Sequence, residues 1–220
     1  MQVPQSWLTG LGKPLARAEP YARRWLRPLL WALVLLPAAW MLSQYFRDQL
    51  GAEPIEKLEK ESGEWTLRLL AASLAVTPLI RITGWGWLIP HRRFLGLATF
   101  FWALTHLSMY IVLDWFFDWG QIFNDIVKHL YVTVGMLAFV LMIPLALTST
   151  KASIRWLGGR KWNLLHRLIY VSAVAGCIHF LWAVKKDIEE PILYSAVFAL
   201  LFVLRYLLPK RVVRARASLS

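Results

Sequence analysis

The sequence predicts an all-α fold, a polytopic membrane protein built as a bundle of six transmembrane helices with both termini in the cytoplasm. Apolar residues make up 58% of the 220 residues and come in long blocks. Each block approaches the roughly 20 residues that a helix needs to cross about 30 Å of hydrocarbon. The blocks lack the alternation of apolar and polar residues that a membrane β-barrel requires. The six predicted spans are 29–46, 66–82, 94–116, 130–148, 162–183 and 192–208.

The distribution of charge predicts the orientation. The termini and the connections assigned to their side hold 17 Lys and Arg and a single acid, Glu19, whereas the connections on the other side hold 6 Lys and Arg and 12 acids. The positive-inside rule places the basic side in the cytoplasm. The net charge of +12 is therefore explained by topology and by contact with anionic lipid headgroups, and no nucleic-acid partner is expected.

We expect one domain, because no low-complexity linker or change of composition divides the chain. A six-helix transmembrane domain over 29–208 is predicted to lie between a basic cytoplasmic N-terminal segment, 1–28, and a basic cytoplasmic tail, 209–220. The N-terminal segment does not resemble a cleavable signal, because the apolar block that follows it is long enough to remain as a span.

Two histidines in the apolar spans are the main candidates for function, since ionisable side chains at that depth are costly. At 1.5 Å per residue, His106 lies about 20 Å and His179 about 25 Å from the cytoplasmic starts of the third and fifth spans. Histidine is a common axial ligand of heme iron. We therefore expect this pair to bind one heme b near the outer face, although each could instead hydrogen-bond between helices. Because Cys177 is the only cysteine, any heme is held non-covalently.

A third candidate, His166, lies only about 6 Å from the cytoplasmic start of the fifth span. We expect it to bind a second, inner heme, with His91 a possible partner, although an interfacial role explains His91 better. His129, at the outer end of the fourth span, is also interpreted as interfacial. His166 and His179 are about 140° apart on an ideal helix, so they share a face only if the helix is distorted, and Gly176 is a candidate position for that.

Arginines near these histidines are candidate partners for heme propionates, because guanidinium groups bind carboxylates in a bidentate manner. Arg92 and Arg167 are placed for an inner cofactor, and Arg68 for an outer one. Snorkelling towards the headgroups is the alternative explanation. No catalytic residue is predicted. The candidate cofactor-binding residues are His106, His179, His166, Arg92, Arg167 and Arg68.

Several short motifs, specific only as a set, resemble the MsrQ family over about residues 50–186. The resemblance implies a six-span heme b subunit of the bacterial inner membrane, within the ferric-reductase-like transmembrane superfamily. It also implies that the heme histidines are His106, His166 and His179, whereas His91 and His129 depart from the family pattern. The motifs are His91–Leu97, Ala103–Leu107, Tyr131–Gly135, Trp162–His166 and Ile178–Trp182.

The resemblance also implies a function. MsrQ proteins pass electrons to MsrP, a periplasmic molybdopterin enzyme that reduces methionine sulfoxide in proteins. FMN is implied as a further cofactor, and a cytoplasmic flavin reductase or the quinone pool as the electron donor. We therefore expect an electron-transfer subunit with one or two hemes rather than an enzyme by itself. Two alternatives remain open: a stand-alone transmembrane ferric or quinone reductase, and a non-redox assembly protein whose histidines only bridge helices.

Overall fold

The computed structural model describes residues 12–184 and 186–209, with side chains from residue 24 onward. These residues form helices and turns without a strand, which confirms the all-α prediction. Much of the predicted N-terminal segment and nearly all of the predicted tail lie outside the described residues. The α-helices of the described part are α1 (Gly12–Phe46), α2 (Pro54–Thr83), α3 (Ile89–Met109), α4 (Trp119–Lys128), α5 (Leu130–Leu147), α6 (Lys151–Leu165), α7 (Leu168–Ala183) and α8 (Glu189–Leu207).

Six helical segments within the described residues are long and apolar enough to cross a membrane, which makes the chain a multi-pass membrane protein. All but the fourth begin earlier than the apolar blocks indicate, the second and the fifth by more than ten residues. The second begins at Pro54, because proline is favourable at the first position of a helix and Glu56 suits the positive end of the helix dipole. The segments are Arg24–Phe46, Pro54–Thr83, Gly86–Asp114, Leu130–Leu147, Lys151–Ala183 and Glu189–Leu207.

The core lies on both sides of α2. On one side α2 packs against α1 and α3, through a cluster that includes Met41, Leu69 and Trp102. On the other side it packs against α7 and α8 through a cluster that includes Leu70 and Phe198. Helix association within a bilayer depends on such close packing and on interhelical hydrogen bonds. This arrangement makes α2 the central helix, in contact with α1, α3, α7 and α8.

The fifth span is broken where α6 meets α7. His166 and Arg167 form a turn between the two helices, and the amide of Tyr170 donates to the carbonyl of Arg167. A second interruption lies at Gly158, whose φ of 73° is in the left-handed region that glycine adopts readily. Gly176, the candidate position for a distortion, lies inside the continuous helix α7, and the distortion is found at His166 and Arg167 instead.

The connection between the third and the fourth span contains a short amphipathic helix. After α3 the chain forms a π-helical turn, Tyr110–Asp114, and then α4 begins at an Asp118 cap that accepts from the amide of Gln121 at 3.0 Å. Ile122 faces the bundle and is buried. The apolar side chains exposed on α4 are Trp119, Phe123 and Val127.

Candidate functional site

His106 on α3 and His179 on α7 face each other inside the bundle. The centres of the two imidazole rings lie 6.2 Å apart, with 74° between the ring planes. Both side chains are partly buried. The two residues are 73 positions apart in the sequence, so only the packing of α3 and α7 around α2 and α5 brings them together. Their role as ligands stays a prediction.

Hydrogen bonds to backbone carbonyls fix the tautomer of both rings. Nδ1 of His106 lies 3.0 Å from the carbonyl oxygen of Glu59, and Nδ1 of His179 lies 2.7 Å from that of Tyr131. A carbonyl can only accept, so each Nδ1 carries the proton and each Nε2 keeps its lone pair. The hydroxyl of Ser62 lies 3.2 Å from Nδ1 of His106 and donates to the Glu59 carbonyl at 2.9 Å. Ser62 therefore acts as a second acceptor for His106.

This geometry fits a heme iron held between two histidines. A bond between a metal and an imidazole nitrogen is about 2 Å long, and adding the radius of each ring places the ring centres about 6.3 Å apart. The observed 6.2 Å agrees with that requirement. Within the described residues no group of three or more His, Cys, Asp or Glu gathers into a metal site. A heme iron takes at most two ligands from the protein, because the porphyrin supplies the others. The two histidines His106 and His179 match that number.

Two glycines make room for the rings. A Cβ atom at Gly135 on α5 would lie 2.6 Å from Nδ1 of His179, and a Cβ atom at Gly63 on α2 would lie 3.3 Å from Cε1 of His106. The first distance is a clash, and the second is a tight contact. The backbones of α2 and α5 thus form the walls against which the imidazoles lie.

His166 is held in a different way at the other end of the bundle. Its ring stacks on Trp162 at 3.8 Å, and its Nε2 lies 3.1 Å from the hydroxyl of Thr148. That hydroxyl donates its one proton to the carbonyl of Pro144 at 2.6 Å. We therefore assign the proton of His166 to Nε2, which leaves Nδ1 with the lone pair. A metal at His166 would bind through Nδ1, unlike a metal at the His106–His179 pair.

Arg68, predicted to serve an outer cofactor, is bound to other protein groups. Its guanidinium donates to the carboxylate of Glu64 and, at 2.9 Å, to the hydroxyl of Tyr194, and it lies 4.7 Å above the ring of Trp65. Glu64 is only 5% exposed, so the charge of Arg68 compensates a buried carboxylate. A propionate contact for Arg68 stays a prediction.

The two inner arginines and His91 lie near the ends of helices. Arg92, in the first turn of α3, is close enough to His166 for their charges to interact. Arg167 directly precedes α7 and is exposed. The His91 ring lies 6.1 Å from the ring of Trp87, as expected of an interfacial histidine. The cofactor contacts predicted for these residues stay predictions.

His129 forms part of a polar cluster that was not predicted from the sequence. Its Nδ1 lies 2.6 Å from one carboxylate oxygen of Asp125, and the other oxygen accepts from the hydroxyl of Tyr110 at 2.7 Å. Tyr110 follows the helix of His106, and His129 caps the helix whose Tyr131 carbonyl holds His179. Asp125 therefore connects the two sides of the histidine pair.

Comparisons with known proteins agree with this architecture. The family profile described as ferric reductase like transmembrane component matches residues 62–177. The chain is 47% identical to the protein-methionine-sulfoxide reductase heme-binding subunit MsrQ of Rhodospirillum rubrum, over 78% of this chain and 82% of the relative. Two proteins of the same name are similar too. The one from Herminiimonas arsenicoxydans is 44% identical over 82% of this chain and 84% of its own, and the one from Xanthomonas campestris pv. campestris strain B100 is 48% identical over 77% of this chain and 80% of its own.

No solved structure matches the chain significantly. The matching profile covers more than half of the chain, and the curated relatives align over most of their own length as well as of this one. The chain therefore belongs to the MsrQ family, and its core is a ferric reductase like transmembrane component.

Proposed function

We propose that this chain is the heme b electron-transfer subunit of a methionine-sulfoxide reductase system in the bacterial inner membrane, with both termini in the cytoplasm. It takes electrons from a cytoplasmic flavin reductase or from the quinone pool. It passes them to a periplasmic molybdopterin enzyme that reduces methionine sulfoxide in proteins. The chain is a redox carrier rather than an enzyme by itself. The names of its relatives, which are called heme-binding subunits, support this assignment.

The observation that carries the proposal is the facing pair of His106 and His179. Heme b would supply one-electron redox chemistry between them. The two residues would hold the iron through Nε2, because Nδ1 of each ring donates to a backbone carbonyl. Such a hydrogen bond fixes the orientation of the ring and makes the imidazole a more basic ligand. The surrounding apolar helices keep water away from the site.

A second, inner cofactor at His166 is part of the proposal. The free Nδ1 of His166 supports it, and Arg92 and Arg167 lie at the same end of the bundle to bind carboxylates or phosphates. FMN is proposed from the family resemblance alone. His91 stays an alternative second ligand at this level.

The quinone route has a structural feature in its favour. An open groove of about 410 Å³ lies between α1 and α2. Its wall is apolar on the side of α1, with Leu36 and Trp40, whereas α2 contributes Trp65, Glu61 and Arg68. A lipophilic ring with carbonyl oxygens could stack on the indole and accept from the guanidinium. The groove supports entry of a membrane-soluble donor without excluding a cytoplasmic one.

A pyridine hemochrome assay on the purified protein tests the heme site. His106→Ala and His179→Ala should each lose the same heme, whereas His129→Ala, a histidine outside the pair, should keep the wild-type content. If His166 binds a second heme, His166→Ala should lose that heme alone. Wild-type protein without a Soret band after growth with ample heme, or full heme content in both variants of the pair, would contradict the proposal.

A second measurement identifies the electron acceptor. Reduced protein is mixed in a stopped-flow instrument either with the purified periplasmic enzyme and methionine sulfoxide or with Fe(III) chelates, and the Soret band is followed. The proposal expects rapid oxidation in the first mixture and slow oxidation in the second. Rapid oxidation by the chelates alone would favour a stand-alone ferric reductase.

A further inference from the structure

We propose that Arg81 and Arg205, with Arg167 beside them, form a binding site for the phosphate group of an anionic phospholipid at the cytoplasmic end of the bundle. The site lies where α2 ends, where α7 begins and where α8 ends. It uses the orientation proposed above but does not depend on a heme.

Arg81 joins the ends of two helices at this site. Its Nη1 donates to the carbonyls of Arg205 and of Leu208, the latter at 3.0 Å. The Arg205 carbonyl belongs to the last turn of α8 and the Leu208 carbonyl directly follows it, at the negative end of the helix dipole. This contact fixes the Arg81 guanidinium against the backbone of Arg205.

Arg205 lacks a counter-charge among the side chains that the structure describes. Its guanidinium lies 5.0 Å above the ring of Tyr170, and its Nη1 is buried with no hydrogen-bond partner among the described residues. It is also close enough to Arg81, Arg92 and Arg167 for their charges to repel. A buried charged donor without an acceptor is strongly unfavourable. Arg205 therefore needs a compensating anion at an end of the bundle where several other arginines also lie.

The chain offers almost no anion on this side. The segments 81–93, 149–186 and 205–220 contain neither Asp nor Glu, and the only acid of the N-terminal segment is Glu19. The carboxylates of α8, Glu189 and Glu190, lie at its opposite end. Apart from Glu19, which the test below includes, neither Asp nor Glu is available there, so we infer that the counter-ion of Arg205 comes from outside the protein.

A phospholipid supplies the anion that fits this position. Guanidinium groups recognise phosphate with paired hydrogen bonds, and basic pockets between helices on the cytoplasmic side bind anionic headgroups. The two residues that follow Arg205 are exposed, Tyr206 to 89% and Leu207 to 68%. They offer an apolar surface for an acyl chain. That surface favours a lipid over a soluble phosphate.

Native mass spectrometry of the protein in neutral detergent, titrated with phosphatidylglycerol or phosphatidylcholine, tests the site. The wild type should bind phosphatidylglycerol in preference. Arg205→Gln and Arg81→Gln should each weaken that binding by about tenfold or more, the range expected for a lost charge-assisted hydrogen bond. Arg205→Lys should be intermediate. Arg155→Gln, which removes an exposed arginine of α6, is the matched control and should stay within twofold.

Three further measurements decide which molecule or group supplies the anion. Millimolar inorganic phosphate should not displace the lipid; displacement would make the site one for free phosphate. Arg205→Gln should keep its heme content; its loss would make the anion a heme propionate. Glu19→Gln should leave lipid binding unchanged, whereas tighter binding would identify Glu19 as the counter-ion. Equal binding of both lipids, or wild-type binding by both glutamine variants, would also overturn the proposal, and none of these results concerns His106 or His179.

Discussion

Gly135 and His179 are in such close contact that no side chain fits between them. A Cβ atom at Gly135 would lie 2.6 Å from Nδ1 of His179, which is the atom that donates to the carbonyl of Tyr131. Any larger residue must therefore displace the imidazole and break its hydrogen bond. The equivalent distance at Gly63, 3.3 Å from Cε1 of His106, leaves room for a small adjustment.

Gly135→Ala should therefore lose most of the heme, whereas Gly63→Ala should keep it with a shifted absorption spectrum. The matched control is Gly96→Ala on α3, whose Cβ would lie 3.6 Å from the Ser73 hydroxyl, an ordinary contact. The measurement is the pyridine hemochrome content per polypeptide, with gel filtration to confirm folding. Full heme content in the Gly135 variant would mean that His179 is not the ligand.

Ser62→Ala should raise the reduction potential of the heme. The hydroxyl is the second acceptor for Nδ1 of His106, and losing it makes the imidazole less basic and the ferric state less stable. The net free energy of one hydrogen bond, about 0.5–1 kcal/mol, corresponds to a shift of about 20–40 mV in the potential of a one-electron couple.

A spectroelectrochemical titration measures this shift. Thr66→Ala is the control, because the Thr66 hydroxyl donates to the carbonyl of Ser62 and makes no hydrogen bond to His106. An unchanged potential in the Ser62 variant, or an equal shift in the Thr66 variant, would contradict a direct effect on the ligand.

The limits of sequence-based prediction are visible at these residues. Hydropathy and charge predicted the six spans, and depth counting placed His106 and His179 at similar levels because helix rise is regular. The partners of their Nδ1 atoms are backbone carbonyls, which no residue type signals. The contacts of Ser62 with His106 and of Asp125 with Tyr110 depend on how the helices are rotated relative to one another. The break at His166 also depends on tertiary packing, since neither proline nor glycine is present at that position.

Arg68→Met should destabilise the protein by about 2–3 kcal/mol, because it leaves the buried carboxylate of Glu64 with only Lys60, at 3.8 Å, as a charged partner. The double variant Arg68→Met/Glu64→Leu should recover most of that loss, since an apolar pair needs no compensation. Unfolding in detergent, followed by circular dichroism, measures both. The heme potential separates the two roles of Arg68: a shift in Arg68→Met that persists in the double variant would indicate a propionate contact.

The two faces of α4 test the orientation of the bundle. Trp119, Phe123 and Val127 form an exposed apolar stripe, whereas Gln121, Asn124 and Lys128 form an exposed polar one. A helix with this division lies along the membrane surface with its apolar stripe towards the lipid. Because α4 connects the outer ends of α3 and α5, the proposed topology places its polar stripe in the periplasm.

In a Cys177→Ser background, a membrane-impermeant maleimide should label Asn124→Cys rapidly in spheroplasts. Phe123→Cys should react at least several-fold more slowly, because lipid covers it. Arg155→Cys, on the exposed face of α6, should react only in inverted vesicles, since the basic connections face the cytoplasm. Labelling of position 155 in intact spheroplasts would indicate the opposite orientation of the bundle. Equal rates at positions 123 and 124 would instead show that the apolar stripe faces water in the isolated subunit and awaits a protein partner.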